Sequence, residues 1–310
     1  MPIYFDNDGV LEIYREWRPI LDSYEGERMM VLEAWIPEHR LPLYIGPEEA
    51  HQSFNFGFLQ ATWGVETMRA AIEKPLALAD AVGAPTTWVL SNHDVIRHAT
   101  RYGFPPGYRF GEGLGREETP DAALGLARAR AATLLMLSLP GAAYLYQGEE
   151  LGLPEVAEIP DALREDPAHL RAGVPGRDGC RVPLPWRADA PAYGFSPTGE
   201  SWLPQPAVFG ELAADRQAGV EGSTLEMYRR ALRLRRELGL GRPEAPVEFL
   251  EDLPEGLLGL TRGDVVVLVN TTESELALGE ELGGAEVLVA SCPAAPGAIP
   301  ADGALWLRRA

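Results

Sequence analysis

Residues 88–103 read WVLSNHDVIRHATRYG. Trp88, Val89 and Leu90 form an apolar run that stops on Asn92, His93 and Asp94. A buried strand that ends in three hydrogen-bonding side chains has the pattern of a parallel strand carrying polar groups at its carboxyl end. Three similar runs flank it: MMVLEAWI (29–36), SFNFGFL (53–59) and GAAYLYQG (141–148). Each is short and bounded by polar residues, Gly or Pro, so each reads as a strand.

Helical patterns lie between the runs, at 12–24, 65–82 and from Thr119-Pro120-Asp121 to the Pro140-Gly141 break. The Thr-Pro-Asp order puts an N-cap, a Pro and a first-turn acid at one helix start. Ser223 and Glu226 have capping-box spacing ahead of LEMYRRALRLRREL. Strand and helix alternate, so the fold class is α/β with parallel strands and crossover helices. From about residue 243 the pattern becomes VEFLED, GLLGLTR, DVVVLVNTT, AEVLVAS and ALWLRR, with turns and no helices between. That is a small antiparallel β domain over 243–310. Stretches 104–118 and 152–222 are rich in Pro and Gly, weakly periodic, and expected to be long extended loops.

The balance of 46 Asp+Glu against 27 Lys+Arg, net −19, repels nucleic acid and anionic membranes. No apolar run has the roughly 18 residues of a membrane span. MPIYFDNDGV lacks the basic and apolar regions of a signal peptide, so a cytoplasmic protein is expected. Two distant cysteines, Cys180 and Cys292, make no disulfide framework. His39, His51, His98 and His169 show no metal-ligand spacing and are expected at the surface, so no metal is expected.

In parallel α/β architectures the carboxyl ends of the strands share one face. Glu33 ends the first run and Asp94 the third, so both carboxylates are expected in one crevice. Two facing carboxylates suit glycosidic-bond cleavage, in which one protonates the leaving oxygen. Singly, either could instead cap a helix. Phe54, Phe56 and Trp63 could stack on a sugar, but packing is the simpler reading; Glu149 and Glu150 read as braces of the loop after the fourth strand.

ERMMVLEAW (27–35), SNHDVIRHATRYG (91–103), LLMLSLPGAAYLYQGEELGLPE (134–155) and GRDGCRVPLPW (176–186) together resemble the α-amylase superfamily of glycoside hydrolases, in its α-glucosidase and oligo-1,6-glucosidase group. The resemblance implies a (β/α)8 barrel followed by a β-sandwich-like domain. It implies that Glu33 is the general acid/base, that Asp94 stabilises the oxocarbenium-like transition state, and that His93 donates to the same sugar. It also implies that Arg181 lies near the non-reducing glucose, with Arg177 a weaker candidate on the same loop. Both arginines could instead hold the loop by pairing with Asp178 or Glu149. Arg97 could be a substrate contact or structural. The implied ligand is an oligosaccharide or α-glucoside, and no organic cofactor is needed.

The resemblance also implies a departure. Four strand-like runs precede residue 243, where the barrel has eight. No Gly-Phe-Arg-x-Asp segment, which carries the family's nucleophile, occurs in the chain. Residues 2–24 resemble the family's stretch just after that segment. The expectation is half of a (β/α)8 barrel, strands five to eight, over 1–242. Alone it is expected to hydrolyse little, because members of a catalytic set act together. A separate N-terminal half-barrel chain is then a candidate partner. The alternatives are a non-catalytic carbohydrate-binding or scaffold fragment, and a glucosyl transferase or isomerase of the same superfamily. An α/β hydrolase is disfavoured because no Gly-x-Ser-x-Gly elbow is present.

Overall fold

The computed structural model describes residues 5–309. Helix α1 (Gly9–Asp22) leads to strand β1 (Val31–Leu32), then β2 (Gln52–Ser53), α2 (Phe56–Gln60) and α3 (Val65–Val82). Strand β3 (Thr87–Val89), α4 (His98–Arg101), α5 (Ala122–Ser138) and β4 (Ala142–Tyr144) follow. The pairs β1–β2 and β3–β4 are both parallel, with Val31 opposite Gln52 and Val89 opposite Tyr144. No strand pairing joins β2 to β3, but one side chain closes the seam. The Thr87 hydroxyl donates to Ser53 O (2.6 Å) and accepts from Asn55 N (3.0 Å).

Side chains alternate across β3 as a strand requires. Trp88 and Leu90 are buried in the main core with Met68 and Ile72 of α3 and Leu134 to Leu137 of α5. Val89 faces the opposite way, into a cluster with Trp35, Phe54, Phe56 and Tyr144. Phe56 lies flat on Trp35 and Phe54 meets Tyr144 edge-on, so these aromatics pack rather than wait for a ligand. The expected strand over 53–59 stops at Ser53. The Asn55 side chain caps α2 by accepting from Phe58 N, and that ends the extended run.

Helix α5 starts at Asp121, which accepts from Leu124 N, two residues beyond the expected Thr119 cap. It is apolar nearly all round because it is covered on both sides. Its last carbonyls, left without helical partners, are met by arginines. Half-buried Arg235 donates to the oxygen of Leu137 and, past the helix end, to those of Leu139 and Gly141, and buried Arg262 donates to that of Ser138. Gly141 then opens β4 at φ +96°, where a Cβ would lie 2.1 Å from Thr86 O; only glycine allows that approach.

The 152–222 stretch is not extended loop. It holds the short helices α6 (Pro167–Ala172), α7 (Val208–Glu211) and α8 (Ala214–Gln217), and it buries Leu153, Val156, Ile159, Val182, Leu184 and Phe209 in a cluster of their own. Helix α9 (Thr224–Glu237) follows, with Ser223 Oγ accepting from Glu226 N. The Glu226 carboxylate turns to Gly219 N instead of closing the capping box.

The remaining strands are β5 (Glu248–Phe249), β6 (Leu257–Arg262), β7 (Val265–Asn270), β8 (Leu276–Ala277), β9 (Glu286–Ala290), β10 (Ala298–Ile299) and β11 (Ala304–Arg308). Five form an antiparallel sheet in the order β5-β6-β7-β11-β9, and β8 pairs with β10. One sheet face, with Leu260, Val267 and Trp306, joins the core against α5; Trp306 Nε1 donates to Leu134 O. The other face, with Leu257, Leu268 and Leu305, packs on Leu276 and Ile299 of the β8/β10 ribbon. Among the described residues no helix is long and apolar enough to cross a membrane.

Candidate active site

Because β1 to β4 run parallel within their pairs, their carboxyl ends carry the polar tips. Glu33 follows β1 directly. After β3 the Asn92 side chain accepts from Asp94 N (2.8 Å), a tight turn that presents His93 and Asp94 at the strand end. One donor atom from each of Glu33, His93 and Asp94 lies within 4.8 Å of the others. Glu33 and His93 are exposed and Asp94 is half-buried. His93 Nε2 is 3.5 Å from Asp94 Oδ1.

The loop 176–186 supplies the cations. Arg177 Nη1 donates to Asp94 Oδ1 at 2.7 Å and Arg181 Nη2 to the same oxygen at 2.9 Å. Arg181 Nε also donates to His93 O. The partner of this loop is therefore Asp94, together with Asp166, which sequence reasoning did not single out. Asp166 Oδ2 accepts from Arg177 Nε at 2.6 Å and from Arg177 N at 3.0 Å. Burial opposes the charge on Asp166, but these bonds and one from Ala168 N hold its carboxyl down at about 2. Asp178 pairs with neither arginine; its Oδ2 accepts from the amides of Glu165 and Asp166 and so orients the Asp166 turn. Only the Asp-Pro start of α6 hinted at Asp166, and that reads as a helix cap.

Arg97 is not brought into this cluster. It is buried, and its guanidinium donates to Gln147 O and Cys180 O while lying over the Tyr146 ring. It ties the β4 end to the arginine loop. His98, expected at the surface, is buried beside Ser91 Oγ (2.7 Å); burial pushes its pKa down to about 3 and keeps it neutral. Glu150 braces its loop by accepting from Gly148 N, whereas Glu149 is buried and its carboxyl is pushed up to about 8. Burial raises the Cys180 thiol to about 12, which removes it as a nucleophile near neutrality.

Two carboxylates, an imidazole and two guanidinium forks around one opening can protonate a leaving oxygen, stabilise positive charge and bind hydroxyls. The same three residues are the one grouping among the described residues with donors close enough to share a cation. Asp94 Oδ1 is already held by two arginines, which makes it a poor ligand.

Known proteins supply the class. A family model described as the alpha amylase catalytic domain matches residues 2–240. The chain belongs to this alpha-amylase family of glycoside hydrolases. It is 26% identical over 263 residues to Maltase A1 of Drosophila melanogaster, covering 80% of this chain and 41% of that protein. It is 32% identical over 220 residues to a probable alpha-glucosidase of Rhizobium meliloti, covering 70% and 36%. The crystal structure of the alpha-glucosyl transfer enzyme XgtA superposes with a TM-score of 0.76 at 26% identity, over 98% of this chain and 55% of that one. The chain thus spans about four-tenths of the length of these curated relatives.

Proposed function

We propose that the chain is the acid/base-bearing half of an α-glucosidase-type barrel acting on oligosaccharides with terminal glucose. In this reading residues 1–242 correspond to strands five to eight and their helices, and 243–310 to the C-terminal β domain. Glu33 protonates the leaving-group oxygen and then activates water. Asp94, aimed by Arg177 and Arg181, stabilises the oxocarbenium-like transition state, and His93 donates to the same sugar. Arg97 positions the arginine loop rather than touching substrate. The observation that carries the reading is the approach of Glu33 and Asp94 within 4.8 Å at the ends of strands from two parallel pairs.

Hydrolysis with retention needs a nucleophilic carboxylate roughly 5–5.5 Å from the acid/base, in addition to Asp94 as transition-state stabiliser. That group comes from a half-barrel outside these 310 residues, whether on the same or a separate chain. The surface supports this. Ile13, Trp17 and Ile20 make an exposed stripe on α1 at helical spacing, Tyr24 is exposed just past its end, and Met29 and Val31 are exposed at and just before β1. A neighbouring βα layer would cover them. The compartment that fits two free cysteines is the cytoplasm. Glucosyl transfer by the same site is the second reading, favoured by the likeness to XgtA.

The test is release of p-nitrophenol from p-nitrophenyl α-D-glucoside by residues 1–310, with Glu33→Gln as control. The reading expects no release above the control. Robust turnover by the isolated chain would assign the nucleophile to a residue already present and overturn it.

A further inference from the structure

Arg177 is held from two directions. One is the Asp166 carboxylate. The other is the 104–118 loop, which meets the arginine loop through two glycines. Gly176 N donates to Glu112 O at 2.9 Å. Gly113, at φ +89°, comes so close to the same peptide that a Cβ would collide with Gly176 O and lie 2.9 Å from Gly176 N. Gly176 is buried, at φ +70°, and is pressed in turn against Asp166: a Cβ on it would lie 2.9 Å from Asp166 Cβ. Three segments therefore converge on one buried residue, and they do so only because Gly113 and Gly176 carry no side chains.

The next residue along is Arg177. Its backbone N and its Nε donate to Asp166 Oδ2, and its Nη1 donates to Asp94 Oδ1. A shift of Gly176 passes to Arg177 through a single planar peptide link. The Asp94 carboxylate is thus reached from Gly113 by an unbroken run of contacts.

The 104–118 loop is anchored firmly enough to act as a stop. Leu114 is buried with Ile96 and Phe104. Gly115 N and the Tyr108 hydroxyl both donate to the Glu118 carboxylate. Arg116 donates to Ile159 O at 2.6 Å and to Asp161 Oδ1 at 2.8 Å. Gly113 is fixed on both flanks by these contacts.

We propose that Gly113 is a positioning residue: through Gly176 it sets where Arg177 holds Asp94. That Asp94 meets a sugar rests on the function proposed above; the run of contacts from Gly113 to Asp94 is independent of it.

Gly113→Ala is compared with Gly111→Ala, whose new Cβ meets no other atom and so controls for an added methyl in the same loop. In a 15N-labelled chain the Nε–H signal of Arg177, assigned by its loss in Arg177→Ala, reports the arginine without any ligand. The signal is expected to move in Gly113→Ala and to stay in Gly111→Ala. Maltotriose affinity, measured by calorimetric titration, is expected to fall about three- to tenfold in Gly113→Ala, the worth of one hydrogen bond. In an Arg177→Ala background Gly113→Ala should add nothing, because its route to Asp94 is gone. Should Gly113→Ala fail to fold, Arg116→Ala slackens the same loop from an exposed side chain without a clash, and it too should move the signal. An unmoved Arg177 signal in the folded variant, or equal losses of affinity with and without Arg177, overturns the proposal. A signal that moves as expected in a wild-type chain that binds no maltotriose supports the contact from Gly113 to Arg177 and weighs against the function instead.

Discussion

Arg177 bridges two carboxylates: Nη1 donates to Asp94 Oδ1 and Nε to Asp166 Oδ2, so a buried aspartate sets the direction of a half-buried one. Asp166→Asn keeps the shape and removes the charge. Arg177 is expected to lose its anchor, and the fold about 2 kcal/mol, between the values of exposed and buried pairs. Binding of a glucoside should weaken together with stability. Calorimetric titration and chemical denaturation of the variant check both.

Two buried acids give stability a pH dependence. Glu149 and Glu155 are pushed up to about 8 and about 7, mainly by burial, from an ordinary value near 4.5. The folded state therefore holds protons that the unfolded state has released between these limits, and stability falls as pH rises from about 4.5 to 8. Two groups work in the other direction: Asp166, only as pH falls below its unfolded value toward 2, and His98, whose buried neutral ring costs stability as pH falls from about 6.5 toward 3 and so offsets part of the carboxyl effect. Melting temperature is expected to be higher at pH 5 than at pH 8. The Glu149→Gln, Glu155→Gln double variant should flatten that slope.

Arg97 separates a structural role from a substrate contact. Arg97→Ala strips a donor from Gln147 O and one of two donors from Cys180 O, which keeps the Tyr146 hydroxyl, and it leaves a hole where a buried side chain packed. The expected cost is about 2–4 kcal/mol in denaturant unfolding. Maltotriose affinity at the Glu33 site should change less than in Arg181→Ala, whose guanidinium contacts both His93 O and Asp94. The reverse order would make Arg97 a direct contact.

The seam between β2 and β3 depends on one hydroxyl. Thr87→Val preserves side-chain volume but leaves Ser53 O and Asn55 N unpaired in a buried setting. A loss of about 1–3 kcal/mol is expected. Amide exchange should quicken first at Asn55, not in the C-terminal sheet.

Strands and long helices were legible where one pattern ran unopposed. Val65–Val82 matches its apolar periodicity end to end, and Trp88 to Leu90 reads directly as buried strand. Glu33 and Asp94 were legible as strand tips because parallel topology puts such tips on one face. The misreadings arise where a side chain competes with the backbone or contacts are distant. Asn55 caps a helix inside an apolar run, and Asp121 takes the cap from Thr119. The 152–222 stretch packs its apolar residues between prolines and glycines, so no period reveals the cluster. Asp166 was illegible because its partner Arg177 is chosen by the fold of the loop, not by spacing. His98 looked like a surface residue because nothing local shows that it sits under Glu149 and Tyr102.

One sugar ring lying between Glu33 and Asp94 is the claim on which the proposed function stands. The most direct measurement is a crystal structure of the chain soaked with deoxynojirimycin, a glucose-shaped cation. The expected result is one ring with both carboxylates within hydrogen-bond reach, Arg181 beside Asp94, and no other polar group at the ring's charged nitrogen. A ring contacted by only one of the two carboxylates, or seated elsewhere with the Glu33–Asp94 gap unchanged, would contradict it.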